Sequence, residues 1–419
     1  MSSLKNLVME NKLIYNYFLF LFSIIPLSFL IGPAFSLSTI IIIDLSFLIY
    51  LFFQKDFFFL KNETFKYFLI LYGYLIINLF VSIDSNIGIY RNLGFLRIII
   101  FFVAINYFLI EKKFLNKVLI FWLITLFIVV FDVFIEGIFG KNILGYGGLY
   151  GGAGGSRIVS FFKNEPIVGG FLFSFYMIFL GYLSDKVDTK YNYLVLLFGI
   201  FFLLAIIITG ERSNGIKAIL GFLLFILFYK KINLKYKITF FISCIIIIVF
   251  FVSNFNFLKM RYTSQFKTYL NTDNVYINLY KSGYQVFKNN PILGVGNKNY
   301  RIETCKENIK EKKNKDLYVC QTHPHQIYFE LLSEHGLVGF ILIFYILYKL
   351  IFSRIREVMS GSNYLQIGSL IYMLLTFLPV LPSGAFFGDF SITLFLLNLG
   401  IFYASDLKTN LFKYKIYKK

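Results

Sequence analysis

Long apolar runs separated by short basic loops set the rhythm of this chain. Each run is roughly 17–25 residues, enough to carry a helix across a hydrocarbon core of about 30 Å. The runs predict spans at 13–33, 36–54, 65–84, 93–110, 116–138, 167–184, 191–209, 214–230, 236–253, 337–352, 363–381 and 389–405. The first is too long, and lacks the small-residue site, for a cleaved signal peptide. Two polar stretches interrupt the pattern. Residues 139–166 are rich in glycine, and residues 254–336 form the one long hydrophilic segment. Loops of that length carry function or helices of their own, and the pattern predicts helices around 276–289 and from near 323. The chain therefore divides into 1–253 with nine spans and the Gly-rich loop, 254–336 as a large loop, and 337–419 with three spans and a basic tail.

Composition agrees with a polytopic membrane protein. Of 419 residues, 58% are hydrophobic and only 15% charged, whereas a soluble domain is about a quarter charged. The formal charge of +19 would suggest nucleic acid in a soluble protein, but no long soluble basic domain exists to carry that role. The lysines explain the charge instead. Alternate loops carry Lys55, Lys61 and Lys66; Lys112, Lys113 and Lys117; Lys186 and Lys190; Lys230, Lys231, Lys235 and Lys237; and Arg354 with Arg356. By the positive-inside rule these loops, the tail and both termini are cytoplasmic.

The arginines follow a different rule. Arg91, Arg97, Arg157, Arg212, Arg261 and Arg301 all fall in or near the outer half, against that tendency. A guanidinium fork matches phosphate oxygens and stays charged at any working pH, so an anionic group, such as a lipid diphosphate at the outer surface, is the expected ligand. Arg212 stands out in IITGERSNGIKA between two spans, where Glu211 offers the alternative of simple neutralisation. Arg157 follows the glycine run GGAGGS, whose backbone amides could approach a phosphate. Asp389, after PSGAFFG, is expected near the same cavity. Asp44, Asp132 and Glu136 lie in or near spans and suit either a proton relay or structural pairing.

His323, His325 and His335 cluster in QTHPHQIYFELLSEHGLVGF. Thr322 as helix cap with Pro324 in the first turn would place His325 at a helix N-terminus. The dipole there disfavours imidazolium and leaves a neutral base. Leu332, Gly336 and Gly339 would share its face, the glycines admitting a neighbouring helix or lipid chain. His325 is the candidate general base; His323 and His335 are read as structural. Cys305 and Cys320 share the long loop, and a bridge closing about 16 residues would contribute roughly 3 kcal/mol in an oxidising compartment. Neither a metal site nor a nucleotide motif is present in the pattern.

These motifs together resemble the O-antigen ligase and O-antigen polymerase superfamily of bacterial envelope glycosyltransferases. The ligase pattern of His, a polar residue, nine residues, Gly, two residues and a further Gly is matched by His325, Gln326, Gly336 and Gly339. NNPILGVGNKNYR resembles the Pro–x–x–Gly–x–Gly segment that precedes the histidine, ITGERS the family's arginine motif, and PSGAFFGDF its last loop. The resemblance covers about residues 155–400. It implies an all-α inner-membrane enzyme of about twelve transmembrane helices, GT-C-like, with one large periplasmic loop. It also implies independence of metal and cofactor, with an undecaprenyl-diphosphate-linked glycan as donor. The acceptor would be lipid A-core in a ligase, or another lipid-linked glycan in a polymerase. His325 would take the acceptor proton and Arg212 would hold the diphosphate. The family's second arginine lies in the helix before the Pro–Gly segment. Here that helix, NVYINLYKSGYQVF, has none, so Arg261, Arg301 or Lys281 would substitute, with Arg157 as a further contact. The rival from another class is a lipid-linked-oligosaccharide transporter, which should show inverted repeats and broken mid-membrane helices.

Overall fold

The computed structural model describes residues 11–147, 157–163, 165–264, 274–305 and 317–413. The glycine run before Arg157 and the last lysines of the tail lie outside them. The principal helices are α1 (Lys12–Ser23), α2 (Ile25–Ile31), α3 (Pro33–Gln54), α4 (Glu63–Phe80), α5 (Ser85–Phe108), α6 (Lys112–Phe139), α7 (Val168–Lys186), α8 (Asn192–Ile208), α9 (Arg212–Phe228), α10 (Leu234–Asn254), α11 (Val275–Asn289), α12 (Tyr300–Thr304), α13 (Ile327–Leu350), α14 (Tyr364–Thr376) and α15 (Asp389–Ala404). Polar side chains start several of them. Asn62, Asn274 and Asn363 accept hydrogen bonds from the first-turn amides of α4, α11 and α14, satisfying donors that a helix start leaves open.

Among the described residues seven helices are long and apolar enough to cross a membrane, or eight if the bent α1–α2 pair, broken by 45°, is one span. α14 and α15 are shorter apolar helices. Every expected span coincides with a helix, but these lengths do not establish a count of twelve.

Hydrogen bonds sort the loops onto two ends. At one end Asn62 reaches Leu411 O, Asn410 reaches Asn106 O, Asn363 reaches Ser405 O, and Lys231 reaches Ser184 O. These are the lysine-bearing loops and the tail. At the other end Ile158 N donates to Thr209 O, Arg261 to Gly210 O and Ser383 N to His325 O. The alternation read from the lysines is thus a physical feature of the fold. The core is built around α7, whose residues from Phe171 to Tyr182 are all buried. It meets α14 backbone to backbone, since any side chain on Gly181 or Gly368 would enter the other helix's main chain.

Three expectations about the long loop meet the structure here. The helix expected at 276–289 is α11. Cys305 and Cys320 are joined, with their Cα atoms 4.7 Å apart. The helix expected from near 323 begins four residues later, at Ile327. Its cap is Gln326, whose side chain accepts from Tyr328 N and Phe329 N, so Thr322 and Pro324 lie outside it. The shared face predicted for His325, Gly336 and Gly339 does not exist either, because α13 breaks at Gly336 (φ 62°, ψ −169°). Hydrogen bonds to a remote strap, described below, override the local helix signal.

Candidate active site

Four ends converge on one cavity of ≈ 410 Å³: the starts of α7, α9 and α15, and the chain just before α13. Three of the arginines singled out above, Arg157, Arg212 and Arg261, line it together with His325. Arg301 does not. It is exposed on α12 and absent from the lining, and Lys281 is likewise exposed on α11.

Each arginine is placed by a different device. Arg212 opens α9 and is carried by the turn after α8. Arg261 is buried, and its Nε and Nη2 both donate to Gly210 O (3.2 and 3.0 Å), tying the start of the long loop to that turn. Its pKa is pushed down to about 10, first by burial and then by Arg157 and Arg212; the three cations lie within range of each other's fields. Arg157 begins a strap fixed by carboxylates of α6. Glu136 accepts from Val159 N and Ser160 N, and Asp132 from Ile143 N and the Ser160 hydroxyl. Of the two roles open to Asp132 and Glu136, the structure displays the structural one. Asp44 is buried and has no hydrogen-bond partner among the described residues.

Glu211 engages partners other than the Arg212 beside it. Its carboxylate accepts from Gly169 N (2.5 Å), Gly170 N (3.2 Å) and the Asn214 amide (2.7 Å). It therefore closes the start of α7 against α9, where a carboxylate is favoured. Burial is the main reason its pKa rises to about 7. Asp389 forms an ion pair with Arg97 of α5 instead of entering this cavity.

His325 occupies a left-handed backbone conformation (φ 54°), uncommon for residues other than glycine,. Three contacts hold it there. Its carbonyl accepts from Ser383 N at 2.9 Å, and its ring stands edge-on to Tyr276 and 4.0 Å from the His323 ring. Burial lowers the His325 pKa, a hydrogen bond between its ring and the Ser383 backbone opposes this, and Arg157 lowers it further. The imidazole is thus held neutral, as expected, but through burial and a guanidinium and not through a helix dipole. His323 is pushed down to about 4, mainly by burial and then by His325.

Sequence reasoning missed the groups that hold this histidine loop. Glu330 of α13 accepts Phe386 N through both carboxylate oxygens (3.0 Å each), pinning the 382–387 loop whose Ser383 meets His325. Glu334 accepts Tyr300 N at 3.3 Å. The Pro–Gly segment docks on the break in α13: Val295 N and Gly296 N donate to Ser333 O and Glu334 O, while Leu337 N and Val338 N donate back to Pro291 O and Ile292 O. Gly339 lies against Tyr74 of α4. The two glycines of the histidine pattern therefore serve backbone packing, one against this strap and one against a neighbouring helix. Lys217, also missed, lines the cavity from α9. Its signal was a lysine inside an apolar run.

Residues 196–344 match the family model described as O-antigen ligase. Over that stretch the chain is similar to this family. That stretch, just over a third of the chain, includes Arg212, Lys217, Arg261, Tyr276, His325 and the glycine-packed break. It leaves Arg157 and the 382–394 side of the cavity outside. The match supports membership of the O-antigen ligase and polymerase superfamily. No curated protein matches the chain.

Proposed function

We propose that the protein is an O-antigen ligase-type glycosyltransferase, transferring a preassembled glycan from undecaprenyl diphosphate to a sugar hydroxyl of lipid A-core. The observation that carries this is a single cavity in which a neutral histidine faces a cluster of guanidinium groups. His325 takes the proton of the acceptor hydroxyl as its oxygen attacks the anomeric carbon, a contribution of about 10²–10⁴-fold for a well-placed base. Arg212, Arg261 and Arg157 hold the diphosphate and stabilise the charge that grows on it. Arg301, exposed and outside the cavity, is left without that role.

The cavity lies at the end of the molecule opposite the lysine-rich loops, and the Cys305–Cys320 bond lies at the same end. Both features support a periplasm-facing site in the inner membrane, with the termini cytoplasmic; twelve spans and a GT-C-like arrangement belong to the same proposal. Purified protein given an undecaprenyl-diphosphate-linked repeat unit, with and without lipid A-core, tests the reading on a gel. Glycan joined only to added core supports a ligase. A ladder of longer lipid-linked glycans without core makes the protein a polymerase. Absence of product in both lanes, beside an active control enzyme, overturns the transferase reading.

A further inference from the structure

Lys217 is the cavity residue left without an explanation. It lines the cavity at 7% exposure, five residues beyond Arg212 and therefore about 7.5 Å further along α9. Among the described residues it has no hydrogen-bond or ion-pair partner, and the carboxylate lining the cavity, Glu211, is occupied by Gly169, Gly170 and Asn214. An ammonium buried without a counter-charge is costly. Phe173, Tyr372 and Leu394, which also line the cavity, bring no charge to offset that cost, so the missing anion belongs to the ligand.

We propose that Lys217 is a catalytic contact to the departing diphosphate, receiving the charge that appears on it during transfer; this rests on the transferase reading above. In that step the acceptor oxygen bonds to the anomeric carbon and the bond from that carbon to the diphosphate oxygen breaks. The electron pair stays on the diphosphate, and the hydroxyl proton goes to the His325 imidazole. The lipid-linked donor carries one negative charge on each phosphate, and cleavage adds another. Arg157, Arg212 and Arg261 with Lys217 make four cations around that group, more than the bound donor needs and closer to what the product needs. A cation matched to the product acts on the barrier more than on donor binding. The flexible lysine arm suits a charge that shifts as the bond lengthens.

Two measurements test this. In the transfer assay, K217M should lower kcat by about 10²-fold with donor KM changed less than threefold, the pattern of an interaction made in the transition state. It should also weaken product inhibition by undecaprenyl diphosphate, and K217R should recover part of the rate. Unchanged kcat, or a raised KM alone, overturns the assignment. The second measurement uses wild-type protein and so does not depend on a variant folding. An amine-reactive label on Lys217, read by peptide mass spectrometry, should be blocked by undecaprenyl diphosphate and not by neutral undecaprenol. Equal labelling with both, no labelling of the ligand-free protein, or protection only by the sugar-bearing donor overturns it. Wild-type turnover itself tests the transferase reading, so the two failures are distinguishable.

Discussion

Gly294 and Gly336 face each other so closely that a methyl group on either would stand 2.6 Å from the backbone nitrogen of the other. Both also have positive φ, 71° and 62°. This contact joins the Pro–Gly strap to the break in α13 and so fixes the chain that leads back to His325. Gly294→Ala and Gly336→Ala should each lower the thermal midpoint in detergent by several degrees, since both space and backbone conformation oppose a side chain. Combining them should cost clearly less than the sum, because the first substitution already parts the two segments. Additive losses would mean that the two glycines act separately.

His325 and its neighbour His323 should separate in function. His325→Ala should reduce transfer by about 10²–10⁴-fold while leaving binding of the lipid-linked donor intact. His323→Ala, which removes a tilted ring against His325 and a contact to Ser383 O, should cost much less. Donor binding by equilibrium titration and turnover by gel distinguish these effects. Full turnover in His325→Ala would remove it from the reaction.

The arginines should rank by place and not by charge. Arg212→Ala, Arg261→Ala and Arg157→Ala should each raise donor KM or lower kcat, and Arg301→Ala should stay near wild type because it lies outside the cavity. Arg261→Lys should rescue poorly, since one ammonium cannot reproduce the paired donation of Nε and Nη2 to Gly210 O,. A wild-type Arg261→Lys would show that charge alone suffices there.

Hydropathy and lysine placement made the helices and their alternation readable, because burial in a membrane leaves a long local signature. Motif spacing singled out His325 and Arg212, which the fold brings to one cavity. The supports were not readable. Glu330 and Phe386 are 56 residues apart, and nothing local marks Glu330 as the anchor of a remote loop. The helix start failed for the same reason: Thr322 with Pro324 is a good local signal, but the backbone bond between Ser383 and His325 holds the chain out of the helix until Gln326. Lys217 was masked by the basic residues that normally flank spans.

The pH dependence of transfer should identify the base. A histidine acts as a base only when neutral, so the rate is complete above its pKa and falls as pH drops through it. Burial and Arg157 lower the His325 pKa from its ordinary 6.5, which puts the acid limb of kcat/KM below pH 6.5. Removing the nearby cation relieves part of that depression, so Arg157→Gln should move the limb upward, toward 6.5. The same sign governs stability. Neutral in the folded protein and protonated when unfolded, His325 and His323 should make the fold less stable as pH falls below 6.5, His323 down to about 4,. A limb near pH 7 that disappears in Glu211→Gln would point elsewhere. It would report the Glu211 carboxylate, held up to about 7, and the base would have to be sought at the start of α9.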